Sequence, residues 1–189
     1  MTGEKRKKEM KKLIVIDPGH GGEDNGAKYG GRAEDEFNLS ISSFLQYELL
    51  LRDFDAFLTR EKDEDVSLEK RVQIAKAYRA DAFISIHCDA WHSKTTEGMT
   101  VHIPPVPSLS DFDLSEEVGR KLKIFFPMHR SRDTRKSNFY VLRETYKIPS
   151  ILIECEFMSN PEQLKFLTKI ENQKRMARAI CLAIMRVFE

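Results

Sequence analysis

The feature that most constrains this chain is the octapeptide L-I-V-I-D-P-G-H at residues 13–20. Its apolar run stops abruptly at Asp17, Pro18 and Gly19 and delivers a histidine. Such a run fits a strand buried in a parallel sheet, and sites in these sheets lie beyond the carboxyl ends of the strands. His20 is therefore a candidate metal ligand at a sheet rim. The pattern recurs at residues 81–87, D-A-F-I-S-I-H, which end in His87, and the apolar residues 150–153 run into Glu154.

Between these strands the periodicity changes. Leu39, Phe44, Leu45, Leu49 and Leu50 predict a helix running to about Leu51, and Leu68, Val72, Ile74, Ala75 and Tyr78 predict another capped by Ser67. Residues 55–58, 98–103 and 138–142 read as further strands. Leu114, Val118, Leu122, Phe125 and Phe126 predict a helix from near Ser115 to Pro127, and Asn160-Pro161 opens one whose apolar spacing continues to Phe188. Strands alternating with helices indicate an α/β class: a single-domain sandwich with a central, mostly parallel, twisted sheet of about six strands flanked by helices.

At 189 residues and 41% hydrophobic content the chain suffices for one well-buried domain, assigned to residues 13–189. Lys5, Arg6, Lys7, Lys8, Lys11 and Lys12 outweigh Glu4 and Glu9, so residues 1–12 read as a flexible basic leader of charge +4, leaving −3 for the body of a chain of net charge +1. A weakly acidic body argues against a nucleic-acid surface spread over the domain. No stretch approaches the length of a membrane span, and the leader lacks the apolar segment of a secretory signal. Cys88, Cys155 and Cys181 have no C-x-x-C spacing and read as buried or reduced thiols. The single local basic cluster of the body is H-R-S-R-D-T-R-K at residues 129–136.

The strand ends carry the chemistry. Two imidazoles and one carboxylate are a usual protein share of a catalytic zinc site, with a further carboxylate acting as general base. The residues leave that base open among Glu23, Asp24, Glu34, Asp35, Glu36, Glu154 and Glu156, because no H-E-x-x-H helix ties one of them to a histidine. The glycine-rich residues 18–33 contain neither G-x-x-x-x-G-K-[ST] nor G-x-G-x-x-G, so they read as a backbone wrapped around a site and not as a phosphate cradle.

Five blocks, in order, extend this picture: I-D-P-G-H-G-G with Gly26 following, E-D-E-F-N-L at residues 34–39, L-T-R-x-x-D-x-x-V-S-L-x-x-R-V through A-D-A-F-I-S-I-H at residues 58–87, R-x-x-R-x-x-N-F-Y-V-L-R at residues 132–143, and I-P-S-I-L-I-E-x-x-F-M-S-N-P at residues 148–161. Together they resemble the zinc-dependent N-acetylmuramoyl-L-alanine amidases of the amidase 3 family, over nearly the whole chain after residue 12. The resemblance implies one zinc held by His20, Glu34 and His87, with Glu154 acting on the zinc water. It implies a peptidoglycan or muropeptide substrate, cut at the amide between N-acetylmuramic acid and the L-alanine of the stem peptide. Action is then expected at the cell wall or periplasm, by a monomer exported from a longer precursor or released from the cytoplasm.

Cys88-Asp89 after His87 and Cys155-Glu156 after Glu154 depart from the family's usual residues. Strand alternation turns both cysteines away from the metal, but it leaves Glu156 able to share the side of Glu154 and compete as base. Arg132, Arg135 and Arg143 are expected to hold substrate carboxylates. His92, His102 and His129 read as surface or hydrogen-bonded residues, with His102 close enough to assist substrate binding. The short stretch from Ile103 to Ser115 has no room for the long inhibitory helix that some relatives insert, so an open site is expected. Rival readings are another zinc peptidase or amidohydrolase on a similar scaffold, and a non-catalytic wall-binding module.

Overall fold

The computed structural model describes residues 11–188, so most of the predicted basic leader lies outside the described residues. Within them, β1 (Leu13–Pro18) is followed by a small hairpin of β2 (Lys28–Tyr29) and β3 (Arg32–Ala33), then α1 (Glu34–Leu50) and β4 (Asp55–Leu58). Next come α2 (Leu68–Ala77), β5 (Ala82–Asp89), β6 (Thr100–Ile103) and α3 (Leu109–Phe125). The chain closes with β7 (Arg135–Lys136), α4 (Tyr140–Glu144), β8 (Ser150–Phe157), α5 (Pro161–Leu167) and α6 (Ile170–Phe188).

The six-stranded sheet runs β4-β1-β5-β8-β6-β7; its one antiparallel pairing is β6 with β8, so that β6 and β7 run against the other four strands. The predicted α/β sandwich with a mostly parallel sheet is what the chain forms. β1, β5 and β8 are covered on both faces, which is why they are nearly continuous apolar runs, whereas the edge strand β4 alternates. Ile14, Ile16, Ile84, Ile86, Ile151 and Ile153 face a core shared with α1, α3 and α6; Val15, Phe83 and Leu152 face α2 and α4. Each such side chain contributes roughly 1.5–3 kcal/mol on burial, and together they fix the register. The three central strands thus end together, at the rim where His20 and Glu154 emerge.

Several predicted boundaries move. The first helix begins at Glu34, because the acidic first turn Glu34-Asp35-Glu36 suits a helix N-terminus even without a side-chain cap, and its buried stripe is Phe37, Ile41, Leu45 and Leu49, with Leu50 exposed. The helix expected from Ser115 starts at Leu109, behind a capping box in which Ser108 and Asp111 satisfy each other's backbone N–H. Residues 138–142 are not a strand. Val141 and Leu142 are both buried in one core, which a strand's alternation forbids, and α4 forms instead, with the Thr145 hydroxyl donating to both their carbonyls. The long C-terminal helix divides into α5 and α6, since the side-chain amides of Asn172 and Gln173 donate to Phe166 O and Leu167 O at the end of α5. All three cysteines are buried in the core that faces α1, α3 and α6, Cys88 and Cys155 on the face that strand alternation predicted.

Candidate metal centre and active site

Three segments converge at the carboxyl rim. β1 ends in Gly19 and His20, β5 carries His87, and the loop from residue 21 to the hairpin returns to present Glu34 at the first turn of α1. His20 adopts a left-handed backbone (φ 60), which costs a residue other than glycine about 1–3 kcal/mol and must be held by its surroundings. Two glycines are required by close approach. A Cβ on Gly19 would stand 2.2 Å from the His87 ring, and one on Gly26 (φ 63) would stand 2.5 Å from Glu34 Oε2.

His20, Glu34 and His87 each offer one ligand atom, and these atoms lie within 4.8 Å of one another. Glu34 Oε1 is 3.3 Å from His20 Nε2 and 3.0 Å from His87 Nδ1. The Glu34 carboxylate is fixed by Asn38 Nδ2 and Cys88 N on Oε1 and by Ala27 N on Oε2. Asp24 Oδ2 accepts from His20 Nδ1 at 2.8 Å, which leaves Nε2 turned to the cluster. Burial opposes charge on His20, yet hydrogen bonding and attraction to Glu34, with Asp24 behind, raise its pKa to about 9. Burial likewise opposes charge on Glu34, but the two histidines hold its pKa well below the usual carboxylate range.

Glu154 stands opposite His87 in the β5–β8 ladder and lines the same cavity, of about 730 Å³. Its Oε2 is buried without a hydrogen-bond partner among the described residues. Burial above all, then repulsion from Asp89 and Glu34, pushes its pKa well above the ordinary value. The cavity runs from the cluster toward α2 and α4, where Val66, Leu68, Phe139 and Tyr140 form an apolar wall. No residue from 104 to 115 is among those that line it.

The acid two residues from Glu154 does not share its place. β8 gains one residue against β5, so that Asp89 pairs with Phe157 where even pairing would give Glu156. Glu156 is fully buried; its Oε1 meets His129 Nδ1 at 3.0 Å and its Oε2 accepts from Gly98 N at 2.7 Å. His129 packs against Phe126 and Phe166, members of the core away from α2 and α4, and Glu156 is absent from the cavity lining. His102 donates to or accepts from Ser137 Oγ at 2.7 Å, and burial, helped by Arg135 and His87, lowers its pKa to about 4. His92 is exposed beside Trp91.

The three arginines divide. Arg132 lies over Phe157 and donates to Glu97 O, and both Arg132 and the exposed Arg135 act electrostatically on Asp89 in the cavity wall. Arg143 is not brought to the cluster: it pairs with Glu144 and Asn138 and lines a second cavity with Pro104 and Tyr146. Arg60 and Arg71, by contrast, are buried beneath the His20 loop. They stand in the L-T-R and R-V blocks, but nothing in the sequence says that their partners are backbone carbonyls.

Zinc fits the residues present. Two imidazoles and a carboxylate are a donor set that it takes in catalytic sites. Asp24, Asp65, Asp89 and Glu154 line the same cavity as Glu34, where the one Lys or Arg among the lining residues is Arg71, already bonded to Asp17. Carboxylates gathered without a free cation, one with an unpartnered buried oxygen, are what a bound divalent cation would relieve.

An α/β domain with a candidate single-metal site and an adjacent carboxylate at its sheet rim is the architecture of a metal-assisted hydrolase. The family model for N-acetylmuramoyl-L-alanine amidases matches residues 14–186, and the chain belongs to that family. It is 33% identical over 168 residues to N-acetylmuramoyl-L-alanine amidase LytC of Bacillus subtilis, a match that covers 88% of this chain and 34% of LytC. It is 29% identical over 222 residues to AmiC of Neisseria meningitidis, covering 92% of this chain and 52% of AmiC. The chain thus spans about a third to a half of these relatives' lengths. Among solved structures, N-acetylmuramoyl-L-alanine amidase AmiC2 of Nostoc punctiforme superposes with a TM-score of 0.87 at 37% identity, covering 93% of this chain and 96% of that one. An N-acetylmuramoyl-L-alanine amidase from Clostridium difficile 630 gives 0.90 at 29% identity, covering 94% and 96%.

Proposed function

We propose that this domain is a zinc-dependent N-acetylmuramoyl-L-alanine amidase that hydrolyses the amide between N-acetylmuramic acid and the L-alanine of the stem peptide. The observation that carries this is the convergence of His20, Glu34 and His87 at one cavity with Glu154 in its wall, in a chain of the amidase family. His20, Glu34 and His87 would hold the zinc, and Asp24 would orient His20 through its Nδ1. When bound, zinc supplies a Lewis acid for the scissile carbonyl and for water.

Glu154 is the proton carrier. It accepts a proton from the attacking water as oxygen bonds to the lactyl carbonyl carbon, and returns it to the amide nitrogen as the carbon–nitrogen bond breaks. Val66, Leu68, Phe139 and Tyr140 give the substrate an apolar surface to pack against beside the reacting atoms. Arg132 and Arg135, beside Asp89, are proposed to hold substrate carboxylates, and Arg143 keeps its place in that proposal on its sequence block alone. In this proposal the domain acts as a monomer, and a peptidoglycan substrate sets its place at the cell wall or periplasm, reached by export or by release from the cytoplasm. Among the described residues no helix is long and apolar enough to cross a membrane.

Digestion of purified muropeptides with mass analysis tests the assignment. Intact stem peptides beginning with L-alanine, and peptide-free glycan, are expected. Fragments cut inside the stem peptide would make the domain a different peptidase. Substrate binding without cleavage, in a protein carrying one zinc, would make it a wall-binding module.

A further inference from the structure

The His20 loop sits on a buried polar clamp that the proposed chemistry does not use. Asp17, Arg60 and Arg71 are nearly inaccessible. Arg71 rises from α2 and commits every nitrogen of its guanidinium: Nε to Val66 O at 2.9 Å, Nη1 to Asp17 Oδ1 at 2.8 Å and Pro18 O at 2.6 Å, and Nη2 to His20 O at 2.7 Å. Asp17 is itself held, by Thr59 Oγ1 at 2.6 Å and Ser85 Oγ at 2.8 Å. Arg60, just past β4, donates from Nε to Pro18 O at 3.1 Å and from Nη2 to Gly19 O at 3.0 Å and Asp35 O at 2.9 Å.

The carbonyls of Pro18, Gly19 and His20 are therefore all taken by two guanidinium groups, at the point where the backbone turns left-handed at His20. We infer that Arg71, seated by Asp17 and seconded by Arg60, is a positioning residue for the metal ligand His20. It lines the cavity, but four of its five N–H donors are committed, three to backbone carbonyls and one to Asp17, and a single Nη2 N–H remains. A planar fork is needed to bridge Asp17, Pro18 O and His20 O at once; an ammonium group on a flexible stem satisfies these partners only in part. Because Arg71 belongs to α2, the packing of that helix sets the geometry of the site.

This inference rests on His20 being a metal ligand, and its test separates the two. Zinc affinity is measured by competition with a chromophoric chelator, and apo-protein stability by urea unfolding, for wild type, Arg71→Lys and Val72→Ala. Val72 is the next residue of α2, buried in the core and outside the clamp. Arg71→Lys is expected to weaken zinc binding roughly 10–100-fold, the usual range for a residue that orients a ligand. Val72→Ala is expected to lose stability and keep affinity within about twofold. Arg71→Lys binding zinc as wild type does, or Val72→Ala losing as much affinity, overturns the positioning role. Wild-type protein that takes up no zinc overturns the metal assignment and this inference with it. Should Arg71→Lys not fold, Arg60→Lys, which leaves Gly19 O to Asn38 alone, is expected to weaken zinc binding in the same direction; unchanged affinity there overturns the clamp.

Discussion

At the scale of single residues, the clearest contrast is between Glu154, which should matter to turnover alone, and Gly19, which should matter to the cluster. Glu154→Gln removes the proton carrier and leaves the three ligand positions untouched; turnover on muropeptides is expected to fall by about 10²–10⁴-fold with zinc content unchanged. Loss of the metal together with activity would instead put Glu154 among the ligands. Gly19→Ala would drive a methyl group into the His87 ring, so zinc affinity should drop while far-ultraviolet circular dichroism stays native. His102 makes a statement about acid stability. Its folded pKa of about 4 lies below the unfolded value of 6.5, so between these limits the unfolded chain binds the proton that the folded one refuses. Stability therefore falls as pH drops through that window and is unaffected by this group above it. Allowing for solvent that reaches the ring, the loss is on the order of 1–2 kcal/mol, and His102→Gln should flatten the acid limb of a urea-unfolding profile between pH 7 and 4.5 by that amount.

At the scale of elements, Asp111 joins two of them. Its Oδ2 completes the capping box of α3 with Ser108, and its Oδ1 accepts from Ser150 N at 2.6 Å, at the start of β8. Ser108→Ala should cost about 1 kcal/mol as a lost cap, and Asp111→Ala more, about 2–3 kcal/mol, because it also strands a buried backbone N–H; equal losses in urea titrations would deny the link to β8. Such links show why some elements could be read in the sequence and others could not. β1, β5 and β8 are nearly continuous apolar runs that lead into His20, His87 and Glu154, so both the strands and three of the four candidate site residues were legible. Glu34 was legible only through the E-D-E-F-N-L block, because a loop with no periodicity brings it back. The split between α5 and α6 carries no glycine or proline: it is made by Asn172 and Gln173 reaching back across the break. The side taken by Glu156 stayed open in the sequence for a related reason. Alternation predicts its side only if β8 is regular, and the extra residue opposite Asp89 is a property of pairing between strands, which no single strand's sequence records.

At the scale of the whole molecule, the metal should act as part of the fold. The three proposed ligands come from just past β1, the start of α1 and the last residues of β5, so one ion would tie together segments otherwise joined by a glycine-rich loop. Without a cation, Glu34 is satisfied by His20 and His87, and the cavity keeps an excess of carboxylates around a buried Glu154 oxygen. The apo domain should therefore fold but be less stable. A ligand that binds only the folded state stabilises it by RT ln(1 + [L]/Kd), about 2.7 kcal/mol at a hundredfold excess over Kd, and in a domain of this size that raises Tm by about 5–10 °C. Calorimetry of one preparation with zinc and with chelator should show this shift, reversibly. His20→Ala should abolish it, since its loss leaves only Glu34 and His87 to hold the ion. Arg71→Lys should reduce it without abolishing it, because all three ligand side chains survive and only their presentation is loosened. A shift of equal size in wild type and His20→Ala would mean that zinc stabilises the domain from somewhere other than this rim.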